Sequence, residues 1–163
     1  MRLTVGSKVN YASQGPCLIR PVVKKVVGGS STSFYCLAVL DDSGSELFVP
    51  VNKPPVGVRR LVEKSEIPKL LRCLKSTGAT AKNWKQRLID NGKLLSSGSA
   101  FDLADLIQSL TQLNSTKVLS PRDRQTLDRA RKLLICEIAE VLGETKMAAM
   151  ERVDEALKPR NGG

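Results

Sequence analysis

The spacing of apolar and polar positions changes once along the chain, close to Val62. Before that point Val9 and Tyr11 alternate with polar residues, and Phe34-Tyr35-Cys36-Leu37-Ala38-Val39-Leu40 is a short β-prone run. Gly15-Pro16, Gly28-Gly29-Ser30-Ser31, Asp41-Asp42-Ser43-Gly44 and Pro54-Pro55 interrupt these runs every 10 to 15 residues. That spacing predicts about five strands joined by turns and closing into a small sheet or barrel.

Beyond Val62 the period lengthens to about 3.6. Ser65 is placed to cap a helix carrying Ile67, Leu70, Leu71 and Leu74, which Thr77-Gly78 closes. A second helix is expected over Ala81 to Leu95. Ser99 with Asp102 reads as a capping box ahead of Leu103, Leu106, Ile107, Leu110 and Leu113. Ser120-Pro121-Arg122-Asp123 starts a long helix with Leu127, Ala130, Leu134, Ile138, Val141 and Leu142 on one face, and Gly143 ends it. A last helix runs from Thr145 past Met147, Met150, Val153 and Leu157. The fold class expected is therefore α+β in two segregated domains: a small β-barrel over residues 1–62 and an all-α bundle of about five helices over 63–158. Residues 159–163 are expected to form a disordered tail.

Composition narrows the chemistry. The chain has 163 residues and no histidine, which removes Ser-His-Asp and Cys-His nucleophilic catalysis, histidine acid–base chemistry and the usual catalytic zinc site. Cys17, Cys36, Cys73 and Cys136 form no Cys-x-x-Cys pair and sit among apolar neighbours, so buried reduced thiols are expected. No leader pattern starts the sequence and no run approaches the ~18 apolar residues of a membrane span. A soluble cytoplasmic protein with no cofactor, no small-molecule substrate and no membrane partner is expected.

Charge points to an acidic partner. There are 26 Lys plus Arg against 16 Asp plus Glu, a formal +10. Basic and acidic residues number 8 and 3 in residues 1–62, 8 and 3 in 63–95, and 10 and 10 in 96–163, so the middle third is the most basic per residue. On the helix expected there, Lys82, Lys85 and Lys93 share a face interrupted by Ile89, with Arg87 to the side. Such a stripe suits a solvated helix flank or a surface that displaces counterions from nucleic-acid phosphates. The single tryptophan, Trp84, lies among these cations next to Asn83. It is suited to stacking on a base or wedging at a base step, and equally to sharing an apolar core face with Leu88 and Leu95.

Several segments, taken in order, are similar to one known family. Val5-Gly6-Ser7-Lys8-Val9-Asn10-Tyr11 with Gly15, then Phe34-Tyr35-Cys36-Leu37, Val49-Pro50-Val51 and Val56-Gly57-Val58-Arg59 resemble the N-terminal module of the CarD/CdnL bacterial transcription regulators. Asn83-Trp84-Lys85-Gln86-Arg87, Leu119-Ser120-Pro121-Arg122-Asp123, Leu127-Asp128-Arg129-Ala130-Arg131 and Glu137-Ile138-Ala139 resemble that family's C-terminal domain. The resemblance covers roughly residues 3–142.

It implies a Tudor-like barrel that binds the β subunit of RNA polymerase, and a helical domain that touches promoter DNA at the upstream edge of the transcription bubble. By position, Trp84 is then the residue that wedges into the minor groove, with Lys82, Asn83, Lys85, Arg87 and Lys93 as its DNA-contacting neighbours. Polymerase contacts map to Lys25, Glu46, Phe48 and Pro50, with residues 46–50 pairing by edge addition. Many relatives are basic where this chain has Gln86 and Ile89, and some carry arginine at the position of Phe48. An RNA-binding or ribosome-associated protein is the alternative from another class. An enzyme fits least, since Glu137 and Glu140 have no histidine, metal motif or phosphate loop beside them and are expected to make surface ion pairs.

Overall fold

Among the described residues, five antiparallel strands lie between Lys8 and Arg60 and helices follow. The computed structural model describes residues 3–12, 14–41, 43–52, 57–75 and 99–158. Two compact units, Met1–Leu61 and Val62–Gly163, each contain a core.

In the first unit β1 (Lys8–Tyr11), β2 (Gly15–Val27), β3 (Ser30–Val39), β4 (Glu46–Pro50) and β5 (Val58–Arg60) form one sheet in the order β4-β3-β2-β1-β5. Its buried face follows the period of two. Val9 lies opposite Cys17, Cys17 opposite Val39, Ile19 opposite Leu37, and Leu37 opposite Leu47. Val9, Cys17, Ile19, Leu37, Val39 and Val49 are buried, and each large apolar side chain so placed contributes about 1.5–3 kcal/mol. The register between β2 and β3 shifts between Arg20 and Val23. Beyond this irregularity β2 pairs with β3 alone, as a ribbon turning at Gly28-Gly29. Both glycines have positive φ, +59° and +83°, as a two-residue hairpin turn that follows strand twist requires.

The second unit contains four α-helices among the described residues: α1 (Ile67–Lys75), α2 (Ala100–Asn114), α3 (Pro121–Leu142) and α4 (Lys146–Leu157). This is one fewer than expected, and the expected helix over 81–95 lies outside the described residues. Capping follows the sequence at three of the four starts. Ser99 Oγ accepts from the Asp102 N–H at 3.4 Å, Ser120 Oγ from the Asp123 N–H at 3.1 Å, and Thr145 Oγ1 from the Ala148 N–H at 3.1 Å. Gly143 takes φ +65° and closes α3 while the Glu144 N–H donates to the Ala139 carbonyl at 3.1 Å.

The start of α1 corrects the reading of Ser65 as its cap. Ser65 lies inside a 3₁₀ turn, Lys64–Glu66, and the Glu63 N–H donates to Glu66 Oε1 at 3.0 Å. A serine cap there would look to residue 68 for its N3 donor, and Pro68 has no N–H.

Glu137 corrects a second expectation. It is 0% exposed, not a surface ion-pair residue, and its Oε2 accepts the Val62 backbone N–H at 2.8 Å. Leu133, Leu134, Ile138 and Ala139 around it are buried in the helical core. A carboxylate at such depth persists only with hydrogen-bond donors. Here it holds the first residue of the helical unit against α3. We predict that Glu137→Ala destabilises the protein by about 1–3 kcal/mol, because the Val62 donor loses its acceptor. Glu137→Gln keeps an acceptor and should lose less. Urea midpoints followed by circular dichroism decide it: equal midpoints for the two variants would remove this role.

Candidate functional site

The residues that face outward on β2, β3 and β4 follow directly from those that face inward. With Leu37 opposite Leu47 and Tyr35 opposite Val49 on the core side, the other face receives Cys36 opposite Phe48, Phe34 opposite Pro50 and Ala38 opposite Glu46. On β2, Arg20 lies opposite Cys36 and Lys25 opposite Thr32. Lys25, Glu46, Phe48 and Pro50 are thereby brought to one surface.

Two contacts organise it. The Lys25 ammonium sits 3.5 Å from the centroid of the Phe48 ring, reaching across β3. Phe48 is 42% exposed, so the pair forms a cationic, aromatic plate open to solvent. Beside it the Cys36 thiol donates to Glu46 Oε2 at 3.1 Å. Burial, then the hydrogen bond and negative charge of Glu46, push the Cys36 thiol above its ordinary range, against the opposing charges of Arg20 and Lys25. The thiol therefore serves as a protonated donor that orients Glu46, not as a nucleophile. In the core, burial and then Asp41 push the Cys17 thiol to about 11. None of the four cysteines forms a disulfide, Cys17, Cys36 and Cys136 are buried, and no cluster of metal-ligating side chains occurs among the described residues.

The backbone of β4 completes the site. The Val39 N–H donates to the Ser45 carbonyl at 2.9 Å and the Val51 N–H to the Ser33 carbonyl at 3.0 Å. Residues 45 and 51 thus face β3, and by alternation so do 47 and 49. Glu46 and Phe48 turn their N–H and C=O groups to the outer edge of the sheet, where β4 is the terminal strand. Pro50 adds a carbonyl only and limits how far another strand could extend.

Sequence reasoning missed Arg20 and Cys36. Both were visible as alternating positions, but the β2–β3 register that places them side by side depends on the irregularity after Arg20. The expected DNA-contacting residues Lys82, Asn83, Trp84, Lys85, Arg87 and Lys93 lie outside the described residues. No helix among the described residues is long and apolar enough to cross a membrane.

Two family models match the chain. The one described as CarD-like/TRCF RID domain matches residues 3–62, and the one described as CarD, C-terminal domain matches residues 69–154. The second alone spans more than half of the sequence.

The thiol–carboxylate contact carries a direct test. Glu46→Gln removes a negative charge from beside Cys36, so the thiol should become more acidic. Burial still raises it and the charges of Arg20 and Lys25 still lower it, so the change reads the Glu46 contribution alone. A pH titration of the Cys36 ¹³Cβ resonance reads this, and an unchanged titration would dissociate Glu46 from the thiol.

Proposed function

Because the chain belongs to the CarD/CdnL family of transcription-associated, RNA polymerase-interacting proteins, we propose that it regulates transcription by bridging polymerase and promoter DNA. In this reading the five-stranded unit is the family's Tudor-like barrel and docks on the polymerase β subunit through β4. The helical unit contacts DNA at the upstream edge of the transcription bubble. The family's domains are non-catalytic, and the proposed action is binding alone.

The observation that carries the proposal is the free edge of β4 with its outward row Glu46, Phe48 and Pro50 beside the Lys25–Phe48 plate. An added strand would pair with the main-chain groups of Glu46 and Phe48, which supply affinity without reading side chains. Its outward side chains would meet an ammonium lying on an aromatic ring, which suits an acidic or amphipathic residue. Where some relatives carry arginine, Phe48 turns the neighbouring Lys25 into the charged member of the contact.

Docking gives the helical unit a high local concentration at the adjacent DNA, so a weak DNA contact is sufficient. A side chain that fits only a distorted junction binds the melted promoter better than the closed one and shifts the equilibrium by that difference. Trp84 is assigned this wedge role from the family resemblance, with Lys82, Asn83, Lys85, Arg87 and Lys93 on the backbone, where they supply position and not sequence reading.

Two outcomes test the two halves separately. Lys25→Glu should weaken binding to the polymerase β-subunit lobe by about tenfold or more, since 1.4 kcal/mol is a factor of ten. Unaltered affinity in calorimetry would move the docking surface elsewhere. Trp84→Ala should leave that affinity intact while shortening the lifetime of the open promoter complex, measured by competitor challenge. An unchanged lifetime would refute the wedge.

A further inference from the structure

The most conspicuous surface not used so far is the outer side of α1. Ile67, Leu70 and Leu74 bury one face of this helix, and Lys69, Arg72 and Lys75 stand exposed at intervals of three residues. Two such steps place the three cations along a run of roughly 9 Å, at 1.5 Å of rise per residue. Among the described residues no carboxylate pairs with Lys69, Arg72 or Lys75. The nearest acidic residues in sequence, Glu63 and Glu66, are joined to each other across the preceding 3₁₀ turn. Three other cations of the same unit do have partners: Arg131 meets Asp154 at 2.6 Å, Arg152 meets Glu144 at 2.7 Å, and Lys158 meets Glu155 at 2.9 Å.

Helix stability does not account for the stripe. The last-turn cations Arg72 and Lys75 complement the negative end of the helix dipole, but Lys69 lies in the first turn, where positive charge is unfavourable and which holds no acidic residue. Its ammonium lies 5.8 Å from the Phe101 ring centroid, a contact at the outer limit of cation–π attraction. Like charges at i, i+3 also repel along the helix. An external anion relieves both costs at once.

We propose that Lys69, Arg72 and Lys75 form a second phosphate-contacting surface, one that holds the backbone of duplex DNA. It rests on the assignment of the helical unit to DNA and extends that contact to a face outside the tryptophan segment. Fully paired DNA is the favoured occupant because a row of flexible cations whose aromatic neighbour, Phe101, is packed against the core suits a continuous line of phosphates and offers little for unstacked bases. The surface is independent of a bubble and of Trp84.

The test uses the full chain with Lys69→Gln, Arg72→Gln and Lys75→Gln combined, beside Trp84→Ala, on fully paired duplex over a salt series. If all three cations contact phosphate, the slope of log affinity against log salt falls by about 2.7 in the triple variant. Between 50 and 200 mM salt, wild type then loses about 40-fold more affinity than the variant. Trp84→Ala should keep the wild-type slope on this probe. An unchanged slope in the triple variant, with wild type still salt-sensitive, overturns this inference and leaves the DNA assignment standing. If wild type itself shows no salt-dependent duplex binding, the DNA assignment falls as well. Loss of affinity for polymerase in the triple variant, with duplex binding retained, gives the face to a protein partner and overturns it too. The substituted residues are exposed, so the thermal midpoint should not fall; a fall accompanied by the wild-type slope makes the stripe structural.

Discussion

The proposed docking face depends on a single register: Leu37 opposite Leu47. Leu37 is 0% exposed, and burying it with Val49 and Val39 leaves β4 no freedom to slide. A shift of one residue would send Glu46 and Phe48 into the core and Leu47 and Val49 to solvent. The same constraint puts Cys36 against Phe48 at a non-hydrogen-bonded pair, where side chains approach most closely. The outward chemistry of this unit is thus fixed by what its inward face excludes from water.

In the helical unit the equivalent constraint is polar. Glu137 is wholly buried and takes the Val62 N–H, so a carboxylate, not an apolar contact, fastens the entering chain to α3. An apolar side chain of similar size would fill the space but leave a backbone donor without a partner. Polar fastening is directional, so it specifies where the chain enters as well as that it is held. The Glu63–Glu66 hydrogen bond then turns that chain into α1, whose amphipathic pattern presents Ile67, Leu70 and Leu74 to the core.

Local signals in the sequence were good guides where the physics is local. Period-two alternation, the Gly28-Gly29 turn, the serine and threonine caps and the Gly143 stop all act within a few residues, and each feature lies where its chemistry demanded. Ser65 misled because the missing N–H of Pro68, three residues on, outweighs the usual preference for a serine cap. Glu137 misled because a glutamate among leucines and isoleucines reads as a solvated helix residue until its partner 75 positions away is known. At the candidate site Lys25, Glu46, Phe48 and Pro50 came from family resemblance. Their grouping with Arg20 and Cys36 needed strand register, which no single segment encodes.

Charge also acquires meaning only once partners are known. Composition gives +10 for the whole chain but does not distinguish a cation that ends on a carboxylate from one that faces solvent. On α3 and α4 Arg131 and Arg152 end on carboxylates, and their contribution is largely spent within the fold. Paired cations cancel much of their own field, whereas unpaired ones keep it available to a phosphate several ångströms away. The ratio of acidic to basic residues is therefore a poor guide to which helix meets an anion; the local absence of carboxylates is a better one. For a factor held at its target by a separate docking unit, such unpaired charge needs to supply only orientation, because proximity is already provided.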